Sequence, residues 1–151
     1  MFVSELYDHR IAVFRRSDGA LLRRFGRKGS GDGELYHPMA LCVMGTTRRI
    51  AVVDFGNHRI SVFTTEGAFD RHVGTGGFRF LHGIACSQNG NELFVADWRS
   101  ATISVLRDNG EVLHRCGDDE REFRDFFTSI AIHGGRIFAQ SYHCQECVVF
   151  T

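Results

Sequence analysis

The chain has 151 residues, of which 43% are apolar and 24% charged, and its 18 basic and 18 acidic side chains cancel. That length suits one globular domain burying roughly 68–70% of its extended surface, and the composition excludes a disordered polymer. Zero net charge removes the simplest argument for a nucleic-acid or membrane-surface partner, and no stretch is apolar for long enough to span a bilayer as a helix.

Seventeen glycines, one proline and fourteen phenylalanines favour many short strands joined by tight turns, because glycine supplies positive φ and aromatic rings fill pleated surfaces. The opening MFVSELYDHR lacks the basic start and apolar run of a signal peptide. Five unevenly spaced cysteines favour a reducing compartment, so a cytoplasmic location is expected. Charge is uneven along the chain: Arg10, Arg15, Arg16, Arg23, Arg24, Arg27 and Lys28 face only Asp18 between residues 10 and 28, whereas DDEREFRD (118–125) is acidic.

In chain order, YDHRIAVF (7–14) returns as DFGNHRISVF (54–63). The longer phrase RIAVFRRSDGALLRRFG (10–26) matches RISVFTTEGAFDRHVG (59–74) and TISVLRDNGEVLHRCG (102–117). Each predicts a hairpin, with turns at Asp18-Gly19, Glu66-Gly67 and Asn109-Gly110 expected to be of the primed type. Upstream of the later two lies a second recurring pair, ALCVMGTTRRIAVVD (40–54) and GIACSQNGNELFVAD (83–97), echoed by SIAIHGGRIFAQS (129–141). The unit is therefore four strands, a to d. Phe63 and Leu106 lie 43 residues apart, Leu106 and Phe150 44, and Phe14 and Phe63 49, the excess falling in loop 26–38.

Four short strands repeating every 40–50 residues predict an all-β, partial β-propeller. The expected content is two complete blades and two incomplete terminal ones, about 14 strands in all. The units fall at 1–26 (partial), 31–74, 75–117 and 118–151 (partial) within a single domain. FGRKGSGDGELYHP followed by VVDFGNHRISVF resembles the NHL repeat, most closely over 25–74. Residues 75–117 are looser, and the last unit has Ser141 and Glu146 where the repeat carries Asp and Arg. The resemblance implies a propeller, usually six-bladed; six blades of this period need roughly 260 residues. The chain is thus expected to continue in a longer protein or to self-associate through its open end blades.

If strand a runs down from a top face, the b–c turns and d–a loops share that face, the usual place for function in such folds. The b–c turns carry Phe55, Trp98 and Tyr142 at one repeat position, with His58, Arg59, Arg99 and His143 beside them, so these seven residues form the expected ligand-binding rim. Asp54 and Arg59 are expected to form an exposed turn pair contributing only about 0.2–1 kcal/mol. GRKGSGDG (26–33) lacks the helix that a phosphate loop requires and is expected to be a flexible connection. HCQEC (143–147) offers two thiols where a zinc site needs four ligands. Cys147 takes the apolar position of Ile60 and Ile103, and Cys42 and Cys86 are aligned at one strand-a position with Ile132, so all three are expected in the core. His37 and His82, at the start of strand a, are candidate metal ligands but sit one place out of register.

No catalytic motif, metal or cofactor is expected. The resemblance to NHL proteins implies a non-enzymatic binding or scaffold domain engaging a protein partner or single-stranded RNA, with no membrane role. The basic stretch 10–28 favours RNA; zero net charge favours protein. The rival reading is a metal-dependent propeller enzyme of the amidating-lyase or lactonase type.

Overall fold

A computed structural model describes residues 1–45, 47–74, 77–78, 80–98, 102–116, 127–142 and 147–150. Fourteen strands are found among them: β1 (Phe2–Glu5), β2 (Arg10–Phe14), β3 (Leu21–Phe25), β4 (Pro38–Met44), β5 (Arg49–Asp54), β6 (Arg59–Thr64), β7 (Phe69–Val73), β8 (Leu81–Cys86), β9 (Glu92–Asp97), β10 (Thr102–Arg107), β11 (Val112–Cys116), β12 (Phe127–His133), β13 (Arg136–Ser141) and β14 (Cys147–Phe150). They form four antiparallel meanders, β1–β3, β4–β7, β8–β11 and β12–β14. Two full four-stranded blades therefore lie between two three-stranded ones, as the repeat predicts.

The sheets meet through their first strands: β8 lies between β4 and β12, and β1 packs against β4. The blades fan outward from this inner row, and burial follows the same gradient. The middle strands β5 and β6 are buried on both faces because a sheet covers each side, whereas the outer β3 (LLRRF) is exposed for four of its five residues. Alternation along β5 divides its side chains between two cores. Ile50 and Val52 pack with Ile11, Leu35 and Phe63 between the first and second sheets. Ala51 and Val53 join Ile60, Val62, Leu81, Leu93, Val95 and Leu106 between the second and third. A third cluster, with Ile103, Phe127, Ile130 and Ala139, fills the next interface. Each fully buried aliphatic or phenylalanine side chain contributes about 1.5–3 kcal/mol, so the interfaces between repeats supply most of the stability.

The c–d hairpins differ from expectation in turn type. Positive φ falls on the glycine alone, at 72° for Gly19, 97° for Gly67 and 95° for Gly110. The registers shift at Val13/Phe14, Val62/Phe63 and Val105/Leu106. These are longer loops in which a bulge glycine follows the turn, rather than two-residue primed turns. A Cβ would also be crowded at two of the three. A Cβ on Gly67 would lie 2.8 Å from the Phe25 ring, and one on Gly110 3.1 Å from Val73, each belonging to the preceding blade; Gly19 faces open space. An arginine clamp recurs at the same interfaces. Arg23 of β3 donates to the Thr65 carbonyl, and Arg71 of β7 donates to the Asp108 carbonyl at 2.8 Å.

Cys147 is corrected. It pairs with Gln140 just as Ile60 pairs with Val53 and Ile103 with Ala96, yet it is exposed while both isoleucines are fully buried. Among the described residues no further sheet lies over the face that the next blade covers in the two isoleucine cases.

Candidate functional site

The b–c turns and d–a loops meet on one face, as their hydrogen bonds show. Tyr36 N donates to Asp54 Oδ1 at 2.7 Å, and Gly56 N donates to the Tyr36 carbonyl at 2.7 Å. One blade on, Phe80 N donates to Asp97 Oδ2 at 3.4 Å and Trp98 N to the Phe80 carbonyl at 2.8 Å. The carboxylate that closes strand b thus receives the backbone leading into strand a, and it levels the two loops.

Asp54 and Arg59 are not the exposed pair expected. Asp54 is 0% exposed and the Arg59 side chain 11%, with Nε 2.9 Å from Asp54 Oδ2. Arg59 also donates to the carbonyls of Ser30, Gly31 and Glu34 at 2.8, 3.2 and 3.3 Å. Asn57 Nδ2 reaches the Gly29 carbonyl at 2.9 Å and Asp54 Oδ2 at 2.8 Å. Residues 26–33 are therefore a pinned loop, not a flexible one, and Arg59 faces inward because that loop folds over it. A buried guanidinium without its carboxylate is expensive, which makes the pair part of the scaffold.

Beneath this loop Ser61 Oγ donates to Asp54 Oδ2 at 3.2 Å and lies 3.2 Å from His72 Nδ1. Its single proton is committed to the carboxylate, so His72 donates through Nδ1. His72 Nε2 comes within 3.3 Å of Asp32 Oδ1, an ion-pair distance without hydrogen-bond alignment. Burial, and then the Arg59 charge, hold the His72 pKa below its ordinary value. These are the residue types of a nucleophile triad, but Ser61 is fully buried and meets no open cleft.

Above the pinned loop an aromatic and imidazole rim crosses three blades. His9 and His58 occupy equivalent b–c positions and are both left-handed, with φ of 56° and 54°. Each reaches the aromatic residue that opens the next blade. His9 stacks on Tyr36 at 5.2 Å between ring centroids, and His58 meets Phe80 edge-on at 6.2 Å. His37 stacks on Tyr36 at 4.4 Å and on His9 at 4.7 Å, and its N–H donates to His9 Nδ1 at 3.0 Å. Tyr7, 84% exposed, stands edge-on to His37, and Lys28 lies 5.5 Å over the Tyr36 ring. The Tyr36 ring lies against Gly56, where a Cβ would approach to 2.2 Å. Beyond it, Phe55 contacts Phe80 and His82, and both contact Trp98 at 6.3 and 6.2 Å.

Of the expected rim residues, Phe55, His58 and Trp98 come together through Phe80 and His82. Tyr142 is 66% exposed on the fourth sheet, and Arg59 is inward. Arg99 and His143 lie outside the described residues. The bridging rings of Tyr36 and Phe80 were missed as rim members, and His37 and His82 were read only as candidate metal ligands. Their signal is an aromatic or histidine just before or within the first residues of strand a, opposite the b–c histidine. His37 and His82 belong to separate ring clusters, and no group of three His, Cys, Asp or Glu residues converges among the described residues. Beside the rim, a groove of about 460 Å³ runs along the inner strands, lined by Ser4, Met39, Ala40, Gly83, Ile84 and Ser129 among others.

The basic stretch is largely neutralised by its own surroundings. Arg10 pairs with Asp8 and Glu5, Arg15 with Asp18, Arg24 with Glu5, and Arg27 with Glu34.

Radial four-stranded blades carrying their loops on one rim define a β-propeller repeat protein. Residues 35–63 match the NHL repeat, so the chain carries an NHL repeat. It is 25% identical over 118 residues to Protein brain tumor of Drosophila melanogaster, a span covering 78% of this chain and 11% of that protein. It is 44% identical over 50 residues to RING finger protein nhl-1 of Caenorhabditis elegans, covering 33% of this chain and 5% of the relative. The chain thus spans about a tenth or less of the length of these relatives. Among solved structures it resembles a chain of the nidogen/laminin complex, with a TM-score of 0.78 and 17% identity over 97% of this chain and 55% of the other. Hydrazine synthase of Kuenenia stuttgartiensis is similar at a TM-score of 0.74 and 14% identity, over 98% of this chain and 41% of its own. These two likenesses establish the propeller fold.

Proposed function

We propose that the chain is a non-enzymatic binding module whose rim, from Tyr7 and Tyr36 through Phe55 and Phe80 to Trp98, engages a segment of a partner protein. The observation that carries this is two partly exposed ring clusters on one face, one around Tyr7, His37 and Tyr36 and the other around Phe55, Phe80 and Trp98, set beside arginines already paired with carboxylates. Aromatic surface of this kind supplies large contact area at low entropic cost, as protein-binding hot spots do. RNA affinity instead depends on cations free to neutralise phosphate, and Arg10, Arg15, Arg24 and Arg27 are committed elsewhere. Single-stranded RNA is the second reading, supported by Tyr7 and by Lys28 over the Tyr36 ring, which together offer a base a stacking platform.

The test uses peptides selected by display on the immobilised chain, together with a labelled single-stranded RNA titrated across a salt series. The protein reading predicts peptides whose binding is lost in Trp98→Ala and Tyr7→Ala, both remaining folded, and at most a weak RNA response. Tight RNA binding that weakens steeply with salt and fails in the same variants would replace it with the RNA reading. Unchanged peptide binding in both variants would remove the rim from the account.

A further inference from the structure

Cys42 and Cys86 do not share a repeat position. Cys42 pairs with Ala51 and Cys86 with Leu93, whereas Val43 pairs with Ile50, the counterpart of Leu93; Ile132, opposite Ile137, is the true equivalent of Cys86. A one-residue offset in a strand turns a side chain to the opposite face. Had the two cysteines been equivalent, both would face the same way around the fan and never meet. Because they are offset, Cys42 points forward from β4 and Cys86 backward from β8, and both pack against the core between the second and third sheets.

The inner strands bring them close. β4 and β8 approach with Cα atoms within 8 Å, nearer than the ~10 Å of ordinary stacked sheets. Cys86 Sγ donates to the carbonyl oxygen of Val43, the residue bonded to Cys42, at 3.2 Å, and the two thiols lie close enough for each to shift the other's pKa. Both thiols are free and only partly buried.

From this juxtaposition we infer that Cys42 and Cys86 form a vicinal thiol pair that hydroperoxides oxidise to a disulfide joining adjacent blades. Cys86 is the attacking sulfur. The contact with Cys42 lowers its pKa to about 7, while that contact and burial raise the pKa of Cys42, so the thiolate forms preferentially on Cys86. In the first step the Cys86 thiolate attacks a peroxide oxygen. The S–O bond forms, the O–O bond breaks, and the departing hydroxide takes a proton to leave as water. In the second step Cys42 sulfur attacks the Cys86 sulfenic acid. The S–S bond forms, the S–O bond breaks, and the leaving hydroxide takes the Cys42 proton as a second water. Two electrons pass from the two thiols to one peroxide. The product ties β4 to β8 at the inner edge of the fan without crossing the ligand rim.

The experiment treats the purified chain with hydrogen peroxide, counts thiols with a maleimide, and maps linked peptides without reduction. The expected result is loss of two thiols within one chain and a peptide joining Cys42 to Cys86. Cys42→Ala should react more slowly, since the contact that lowers the Cys86 pKa is gone, and stop at a sulfenic acid on Cys86 that dimedone traps, and Cys86→Ala should lose the early reaction altogether. Full maleimide labelling after peroxide would overturn the inference. So would linkage between chains through Cys147, or over-oxidation of Cys86 with Cys42 still free. Should either alanine variant fail to fold, the linkage map of the unaltered chain decides alone.

Discussion

The second blade (β4–β7) and the third (β8–β11) share a strand plan and differ at the seam between strand b and the loop before strand a. Both end strand b in a carboxylate that receives a backbone N–H of that loop, Tyr36 for Asp54 and Phe80 for Asp97. Opposite Asp54 stands Arg59, and opposite Asp97 stands Thr102. The guanidinium reaches three carbonyls of the preceding loop, whereas a threonine hydroxyl has neither the length nor the charge to do so. The carboxylate is thus the general element of the repeat, and the arginine is an addition that fixes one long loop.

The largest contrast follows from burial. Asp54→Ala leaves Arg59 charged and uncompensated in a closed site and should destabilise the chain by about 3–5 kcal/mol. Asp97→Ala, which removes the acceptor of the Phe80 N–H, should cost about 1–3 kcal/mol; urea denaturation of the two variants measures the difference. The last described sheet gives the next contrast. Ile60→Ala and Ile103→Ala should each cost about 2–5 kcal/mol, and Cys147→Ala at the same repeat position less than about 0.5 kcal/mol, because its side chain is exposed. The arginine clamps come third. Arg71→Ala should cost about 1–2 kcal/mol, since its two bonds to the Asp108 carbonyl are partly shielded. Equal stability of Arg71→Ala and the unaltered chain would make the clamp ornamental.

The smallest effect is a pH dependence to which His72 of the second blade contributes. Burial and Arg59 lower the His72 pKa in the folded chain. Below the ordinary histidine value the unfolded chain therefore binds more protons than the folded one. The contribution of His72 is complete above that value and is lost as pH falls from it toward the folded value. His9 and His82 are lowered by burial in the same direction. Urea midpoints should fall from about pH 7 to about pH 5, and His72→Gln should flatten part of that slope.

Much of the fold was legible because a repeat writes its period into the sequence. RIAVF, RISVF and TISVL mark the same strand three times, and a glycine closes each hairpin. What escaped depended on contacts between distant segments. Arg59 reads as a surface cation until loop 26–37 folds over it. Cys147 reads as core by its repeat position, yet its side chain is exposed on the last described sheet. The offset of Cys42 from Cys86 is a single residue, invisible to a loose alignment and decisive for which way each sulfur points. The rim was half legible: the b–c aromatics announced themselves by position, but Tyr36 and Phe80 join the rim only because a left-handed histidine in one blade reaches the loop that leads into the next.

The central claim is that the face built from b–c turns and d–a loops is the working surface. Hydrogen–deuterium exchange of the chain with a display-selected peptide bound tests it most directly. The account predicts slowed exchange at residues 6–9, 34–37, 55–58, 80–82 and 98. It is contradicted if protection falls instead on the opposite face, at 87–92 and 134–135, where Ser87, Asn89, Phe94 and Gly135 line a separate cavity of about 470 Å³.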